Sequence, residues 1–468
     1  MTAPTLKNMS STALPDPDDN VMFVRSQSQL ARDNPAATGQ RLTRFQAEDA
    51  FGNDLVQRVL EDDVVSLVQS FHEPANTIRR KREQLGIDVA LLAKTSHLDA
   101  ETVQDAETPG KIVSIQALNE LCQVLALDER VLGYRPSAGG DDKLGVRLRL
   151  LAEMNGARSF SAATVMTLVE AAWVISKQMT LSEFIGRPIH NMVAPSHRRS
   201  DNYSYPAYEK GYQLAELTRE LLGLDPDAPI ESVRTLIEDE MNIPLIQVAL
   251  ETRFAGATIA NGLYRGIVVN ERGRNSDVAI RRMTICHELA HLLWDPDERL
   301  NKILVDDYEG IEGGGRNTND VVEMRANSFA VSFLAPRSAV RIIAKESTST
   351  SEALAELCRR FGISVSAARY HMNNVTGIDT QSAWVDNVDY DGWLPAENQT
   401  VDYLPGLDNT VPISRKGMFA GIVARAFLER RISVDTASMC LKTSAQNFPE
   451  VAAGIAEMWK STKAVEAH

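Results

Sequence analysis

The sequence predicts an α+β fold that is predominantly helical. Apolar residues recur at helical spacing over most of the chain, and a short cluster of strand patterns lies between residues 243 and 270. The chain has 468 residues, of which 44% are hydrophobic and 24% charged, which is ordinary for globular proteins and leaves room for two to four domains. We therefore expect several helical modules, one of which carries a small sheet.

The net charge and the cysteine content indicate which partners and which cellular compartment to expect. The net charge of −14 argues against broad, nonspecific coating of nucleic acid, although a local basic patch could still bind. The 4 cysteines show no paired spacing, as expected in a reducing cytosol. The N-terminus carries no secretory signal, and the most apolar stretch, 162–175, is too short to span a bilayer. We therefore expect a cytoplasmic protein with no membrane partner. The sequence contains no Gly-rich phosphate-binding loop, so we also expect no nucleotide cofactor.

The first 70 residues are predicted to form a mobile N-terminal tail followed by a helix. Residues 1–45 are rich in Pro, Ser, Asp, Asn and Gln, a composition typical of segments that bury little apolar surface. Helical spacing then runs from Ala47 to Phe71.

Residues 71–135 have the apolar spacing of a small helical bundle with a turn near Ser96 to Leu98, and they resemble a helix-turn-helix domain of the XRE/Cro-repressor type. The candidates for DNA contacts are Arg79, Arg80, Arg82, Thr102 and Gln104. The same recognition helix also carries Asp99, Glu101 and Asp105, which DNA would repel. DNA binding and docking of another protein therefore stay open as alternatives.

A helical linker is predicted for residues 136–204, with its strongest amphipathic segment at Ser161 to Met179. A core is predicted for residues 205–345. Its expected helices and strands are Ala207 to Leu222, Ile230 to Met241, Ile243 to Leu250, Thr258 to Ala260 and Gly266 to Val269. Gly256 and Asn261-Gly262 are expected to form turns between the strands, and an edge strand of such a sheet could hold an extended peptide.

Residues 287–291 read H-E-x-x-H within a predicted helix that Ser276 and Asp277 could cap and Pro296 could end. His287 and His291 are four residues apart, so both imidazoles can face one metal ion, while Glu288 can reach an activated water. The surrounding apolar residues predict burial. Two core histidines bonded to backbone carbonyls are the alternative, which explains neither the spacing nor Glu288.

A catalytic zinc ion usually has three protein ligands, so a third one is expected. Asp297 is an unsuitable candidate because Trp294 stands where a chain-reversing glycine would be needed. The other candidate is Glu323, which lies near the start of a helix predicted from Val321 to Leu334. Spacing alone leaves open whether Glu323 is a ligand, part of a capping box with Asp320, or the ion-pair partner of Arg281 or Arg282.

Three segments resemble the ImmA/IrrE family of zinc metallopeptidases: RRMTICHELAH at 281–291, NSFAVSFLAP at 327–336, and the glutamate three residues before Ala326. The resemblance covers roughly residues 205–375 and implies a zincin-like core. It implies that His287, His291 and Glu323 bind Zn²⁺ and that Glu288 is the general base. Cys286 departs from the family pattern and is expected to be a core residue, although a thiol so close to the site could bind or gate zinc.

The acidic, Gly-rich segment 295–319 separates the two predicted metal helices and is expected to be a lid or a mobile surface loop. Residues 346–378 form a second helix-turn-helix-like appendage, in which Arg369 is a candidate for a DNA contact and His371 is expected to be a packing residue. Residues 379–468 are expected to hold an extended segment, docked through its aromatic residues, and then helices at Lys416 to Glu429 and Phe448 to Lys460.

These patterns predict a zinc-dependent endopeptidase fused to a helix-turn-helix module. By resemblance, its substrate would be a regulatory protein, a helix-turn-helix repressor in phage, plasmid, stress or defence control. The alternatives are a DNA-binding transcriptional regulator and an antitoxin or sensor component, in which the metal site is structural or senses a ligand. The sequence leaves open whether the chain forms a homodimer.

Overall fold

The computed structural model describes residues 4–10, 21–27, 33–67, 70–134, 161–187, 206–261, 264–295, 304–307, 321–386, 388–397, 403–407 and 411–459. Within these ranges the protein is mainly helical with two small sheets, which confirms the predicted α+β class with a predominance of helix. None of the helices in these ranges has the length and apolarity needed to cross a membrane.

The chain folds into two compact units. The first unit combines residues 1–188 with residues 401–468, and the second unit contains residues 189–400. The predicted C-terminal segment 379–468 is therefore divided between the units.

The first unit contains a four-stranded antiparallel sheet with the order β3-β2-β1-β4. Its strands are β1 (Pro4–Ser10), β2 (Val21–Gln27), β3 (Thr38–Thr43) and β4 (Val64–Ser66). The prediction of a mobile tail over residues 1–45 is wrong where these strands lie. The composition of residues 1–45 is polar on average, and this concealed the apolar residues of β2. Phe23 and Val24 of this strand are buried in the core.

The predicted helix from Ala47 to Phe71 is also wrong in extent. Two helices replace it, α1 (Arg44–Phe51) and α2 (Asn53–Asp62), followed by β4. The break falls at Gly52, whose φ of 84° is incompatible with a continuing helix. Asp63, with a φ of 61°, ends α2.

Four short helices follow in the first unit: α3 (Ala75–Gln84), α4 (Val89–Ser96), α5 (Ala100–Ala106) and α6 (Ile115–Val124). His97 lies in the left-handed region directly after α4, which confirms the turn predicted there. The long helix α7 (Ala162–Phe184) packs against α6 within this unit. It lies in the region predicted as a linker.

The second unit contains a four-stranded sheet with the order β5-β7-β6-β8. Its strands are β5 (Leu245–Val248), β6 (Phe254–Asn261), β7 (Tyr264–Asn270) and β8 (Leu304–Asp307). β5 runs parallel to β7, while β6 is antiparallel to both β7 and β8. Gly256 lies within β6, so the prediction of a turn at this glycine is wrong.

The described helices of the second unit are α8 (Ala207–Leu221), α9 (Val233–Thr235), α10 (Val278–Trp294), α11 (Val321–Leu334), α12 (Arg337–Glu346), α13 (Thr350–Phe361), α14 (Val365–Thr376) and α15 (Leu394–Glu397). All of them except α15 contribute buried residues to one hydrophobic core, which they share with β5 and β7. α9 continues into a π-helical turn at Leu236–Glu240. α10 packs against β6, β7 and α11.

Helix α8 approaches α11 closely because Gly211 has no side chain. A Cβ at Gly211 would lie 2.9 Å from the backbone nitrogen of Phe329 and would overlap the carbonyl oxygen of Arg325. This close packing fixes α11, the helix that carries Glu323, against the core.

The segment 388–397 docks onto α10, as predicted for the aromatic region after residue 379. Trp393 stacks on the guanidinium of Arg282, whose central carbon lies 4.1 Å from the ring centroid. The carboxylate of Glu397 forms a fully buried ion pair with the same guanidinium and accepts a hydrogen bond from the backbone nitrogen of Val233 at 2.7 Å.

Three further helices of the first unit lie within the described residues: α16 (Met418–Leu428), α17 (Val434–Leu441) and α18 (Phe448–Met458). α17 packs on β3. Asp435 accepts hydrogen bonds from the backbone nitrogen of Arg41 at 2.9 Å and from its Nε at 2.8 Å. Helix α17 thus covers the edge strand β3, which protects this edge of the sheet.

Candidate metal centre

Helix α10 is capped and almost completely buried. The Asp277 side chain accepts hydrogen bonds from the backbone nitrogens of Ala279 at 2.8 Å and Ile280 at 3.3 Å, as predicted for one of the two capping candidates. Every residue of the helix except Arg281 is buried. The polar side chains of this helix must therefore find partners inside the protein.

The structure brings His287, His291 and Glu323 together. The two histidine Nε2 atoms lie 3.0 Å apart. Glu323 Oε2 lies 3.3 Å from His287 Nε2 and 3.6 Å from His291 Nε2. In a tetrahedral zinc site with bonds of about 2.0–2.1 Å, neighbouring ligand atoms lie about 3.3 Å apart. The three separations therefore fit one small divalent cation held by all three side chains.

The remaining ring nitrogens of the two histidines face oxygen acceptors. His287 Nδ1 lies 2.8 Å from Asn327 Oδ1, and His291 Nδ1 lies 2.9 Å from Asp295 Oδ2. Each Nδ1 therefore carries the proton as a donor, which leaves the Nε2 lone pair directed at the shared site. This tautomer is the one that a metal ligand requires.

The charges around the site also fit a divalent cation. Glu288 and Asp295 are fully buried and Glu323 is largely buried, while the buried Arg325 forms an ion pair with Asp295. These four side chains together carry two excess negative charges when ionised. A divalent cation would neutralise them, which matters because unpaired buried charge is costly.

The titration behaviour of His291 reflects the same charges. Burial alone would lower the pKa of His291, but the carboxylates of Asp295 and Glu323 outweigh burial and raise this pKa well above its ordinary value. Burial likewise opposes ionisation of Glu323, but His291 and His287 lower the pKa of its carboxyl group. His291 and the Glu323 carboxylate thus stabilise each other's charged forms while no metal ion is bound.

The carboxylate of Glu288 is contacted by residues of strand β6. Its Oε2 accepts a hydrogen bond of 2.7 Å from the hydroxyl of Thr258. A Cβ at Gly256 would lie 2.9 Å from Glu288 Oε1 and 2.9 Å from the carbonyl oxygen of Val268. Gly256 therefore leaves the space that the Glu288 carboxylate occupies, and Thr258 fixes the orientation of that carboxylate.

Sequence reasoning missed the supporting residues Thr258, Gly256, Asn327, Asp295 and Arg325. Asp295 follows His291 by four residues, so helical periodicity could have placed it on the same face. The other contacts join segments far apart in the sequence, and the pattern of a single segment does not indicate them.

Cys286 lies in the hydrophobic core of the second unit, and burial raises the pKa of its thiol. Arg282 pairs with Glu397, so it is engaged away from Glu323. Pro296, Asp297 and Asp320 lie outside the described residues, as does most of the segment 295–319. Within that segment, residues 304–307 form β8.

The candidates for DNA contacts lie on helices of both units. In the first unit, Arg82 forms a bidentate ion pair with Glu107, with distances of 2.6 and 2.9 Å, and Arg79 donates to the carbonyl oxygen of the same residue. Thr102 donates its hydroxyl to Asp99 at 2.8 Å. Arg80 and Gln104 are exposed.

In the second unit, Arg369 donates to the carbonyl oxygen of Ala383 at 2.6 Å. His371 is fully buried, as expected for a packing residue. Its Nε2 lies 2.7 Å from the carbonyl oxygen of Ala335, and its Nδ1 lies 3.3 Å from the hydroxyl of Tyr212. Burial lowers the pKa of His371 to about 4.

Two comparisons with known proteins were informative to different degrees. A search of curated proteins found no match to the chain, whereas a family model agrees with the geometry of the site. Residues 253–373, which run from β6 through the candidate metal centre into α14, match the family model of the IrrE N-terminal-like domain, Peptidase_M78.

Proposed function

We propose that the second unit is a zinc-dependent endopeptidase of the ImmA/IrrE type. The observation that carries this proposal is the convergence of His287 Nε2, His291 Nε2 and Glu323 Oε2 within 3.6 Å of one another, with Glu288 on the same helix as the histidines. Two imidazoles, one carboxylate and an adjacent glutamate are the parts of a hydrolytic zinc site. The match to the peptidase family model over residues 253–373 supports the same reaction class.

The chain's own side chains supply the proton transfers. When bound, the zinc ion would polarise the substrate carbonyl and lower the pKa of a water molecule. Glu288 would accept the proton of that water and return it to the leaving amine nitrogen. Thr258 would keep the Glu288 carboxylate oriented for both transfers through its hydrogen bond to Oε2.

The proposed substrate is a regulatory protein, a helix-turn-helix repressor. This choice rests on the resemblance to the ImmA/IrrE family and on the peptidase family match. The test incubates the zinc-loaded full-length chain with repressors encoded near its gene and follows their cleavage by mass spectrometry. Glu288→Gln preserves the size of the side chain and should abolish cleavage. Glu271→Gln, at an exposed glutamate, is the matched control and should cleave like the wild type.

Equal cleavage by wild type and Glu288→Gln would remove Glu288 from the mechanism. Cleavage of no repressor by the wild type would leave the second candidate function, a structural or ligand-sensing metal site in a regulator. One observation favours that candidate: His287, Glu288 and His291 have no exposed surface. Structural metal sites are closed to solvent, whereas catalytic sites keep an open position.

A further inference from the structure

Asp295 contacts residues of both helices that supply the metal ligands. It directly follows α10 and is fully buried. Its Oδ2 lies 2.9 Å from His291 Nδ1, and its Oδ1 accepts a hydrogen bond from Arg325 on α11. One oxygen of this carboxylate therefore contacts a histidine ligand, and the other contacts the helix that carries Glu323.

Helices α10 and α11 pack against each other, so a side-chain contact between them can align the ligands that they carry. The ion pair between Asp295 and Arg325 links the end of α10 to the N-terminal part of α11. It lies close to the metal centre because Arg325 is only two residues from Glu323. Breaking this link would remove the support of the His291 ring and one contact between the end of α10 and the N-terminal part of α11.

The same carboxylate determines the tautomer of His291. A proton on His291 Nδ1 is stabilised by Asp295, so Nε2 keeps its lone pair for a metal ion. Arg325 in turn orients the Asp295 carboxylate through a charge-assisted hydrogen bond to Oδ1.

We propose that Asp295 and Arg325 are positioning residues of the metal centre, which act through His291 and through the alignment of α10 with α11. This inference rests on the proposed metal centre. Loss of the pair should lower zinc affinity about 10–100-fold, the usual effect of removing a residue that orients a histidine ligand. The fold should survive when both charges are removed together, because neither member of the pair is then left without its partner.

The experiment measures zinc affinity of the full-length apo-protein by competition with a chromophoric chelator. The test variant is Asp295→Asn/Arg325→Met, which removes both charges but keeps an acceptor for His291. Arg325→Lys is a second variant that keeps the charge and loses the guanidinium fork. Glu238→Gln/Arg234→Met is the matched control, because it removes both charges of another buried ion pair of the second unit, between Glu238 and Arg234 at 2.9 Å.

The Asp295→Asn/Arg325→Met variant should bind zinc at least about 10-fold more weakly than the wild type. Arg325→Lys should lie between the two, and Glu238→Gln/Arg234→Met should equal the wild type. Nitrogen-15 NMR of the imidazoles provides a second readout. At a pH above the pKa of His291, the metal-free wild-type imidazole should carry its single proton on Nδ1, whereas the Asp295→Asn/Arg325→Met double variant should show a mixture of tautomers.

Wild-type affinity and an unchanged His291 tautomer in the double variant would overturn the inference while leaving the metal centre intact. An unfolded double variant leaves the decision to Arg325→Lys, and wild-type affinity in that variant would also overturn the inference. Absence of zinc binding by the wild type would instead overturn the metal centre itself, and this inference with it.

Discussion

The hydroxyl of Thr258 donates a 2.7 Å hydrogen bond to Oε2 of Glu288, so strand β6 orients the carboxylate of the metal helix. Thr258 is 1% exposed and Glu288 is 0% exposed, so water does not compete for this contact. A hydrogen bond to a charged group in such surroundings contributes about 1.5–3 kcal/mol. The orientation of the proposed general base therefore depends on a residue outside the H-E-x-x-H motif.

Replacing Thr258 by Val should slow proteolysis without weakening metal binding. Valine has nearly the same shape as threonine but cannot donate to Glu288, so kcat should fall about 10–100-fold. Thr258→Ser keeps the hydroxyl and should retain most of the activity. The measurement is kcat and zinc affinity for both variants. A Thr258→Val enzyme with wild-type kcat would show that the hydrogen bond is not needed.

A methyl group at Gly256 should disturb the same carboxylate from the other side. The added Cβ would lie 2.9 Å from Glu288 Oε1 and 2.9 Å from a backbone carbonyl of β7, which cannot easily move. Gly256→Ala should therefore lower the free energy of unfolding by about 1–3 kcal/mol. Urea unfolding measures this change. Gly392→Ala is the control, since a Cβ at Gly392 meets nothing within 4 Å and should be nearly neutral. Equal stability of the two variants would contradict the structure around Glu288.

The buried His371 should make stability depend on pH. Its folded pKa of about 4 lies below the ordinary value of 6.5, so the unfolded chain takes up the proton first as the pH falls. The stabilising contribution is present above pH 6.5 and is lost as the pH falls through 4. Between pH 7 and pH 5 the loss should be about 2 kcal/mol.

His371→Gln removes this titration, and the other histidines titrate in both proteins. The pH dependence of the free energy of unfolding in urea should therefore be shallower in His371→Gln than in the wild type. Parallel curves for the two proteins would show that His371 is not buried in its neutral form.

The ion pair between Arg282 and Glu397 should contribute strongly to the stability of the second unit. Both side chains are almost fully buried. Glu397→Gln leaves the Arg282 guanidinium without its carboxylate and should cost about 3–5 kcal/mol. Glu251→Gln, in an ion pair between side chains that are 36–39% exposed, is the control and should change stability by less than about 1 kcal/mol. Similar urea midpoints for both variants would contradict the docking of segment 388–397.

Local patterns predicted the elements that carry the candidate site. Helix α11 has the predicted bounds, Val321 to Leu334, and the predicted helix around His287 and His291 is present with its Asp277 cap. The core strands were found near their predicted positions but are longer or shorter by several residues. These elements were predictable because their apolar spacing and caps lie within a single stretch of sequence.

The elements that were missed depend on contacts between distant residues. β3 is covered by α17, whose Asp435 pairs with Arg41 almost four hundred positions away. Gly256 suggested a turn because glycine is common in turns, yet here it makes room for Glu288 within a strand. Asn327 and Arg325 contact α10 only because α11 packs against it. Such contacts follow from tertiary packing, and no single segment encodes them.

The most direct test of the metal centre is the metal content of the purified full-length protein, measured by elemental analysis beside His287→Ala and Glu323→Ala. We expect about one equivalent of zinc per wild-type chain and a large loss in each variant, because removing one of three protein ligands weakens the site. Wild-type protein that binds no divalent metal even after zinc is added, or variants that retain the full equivalent, would contradict the proposed site.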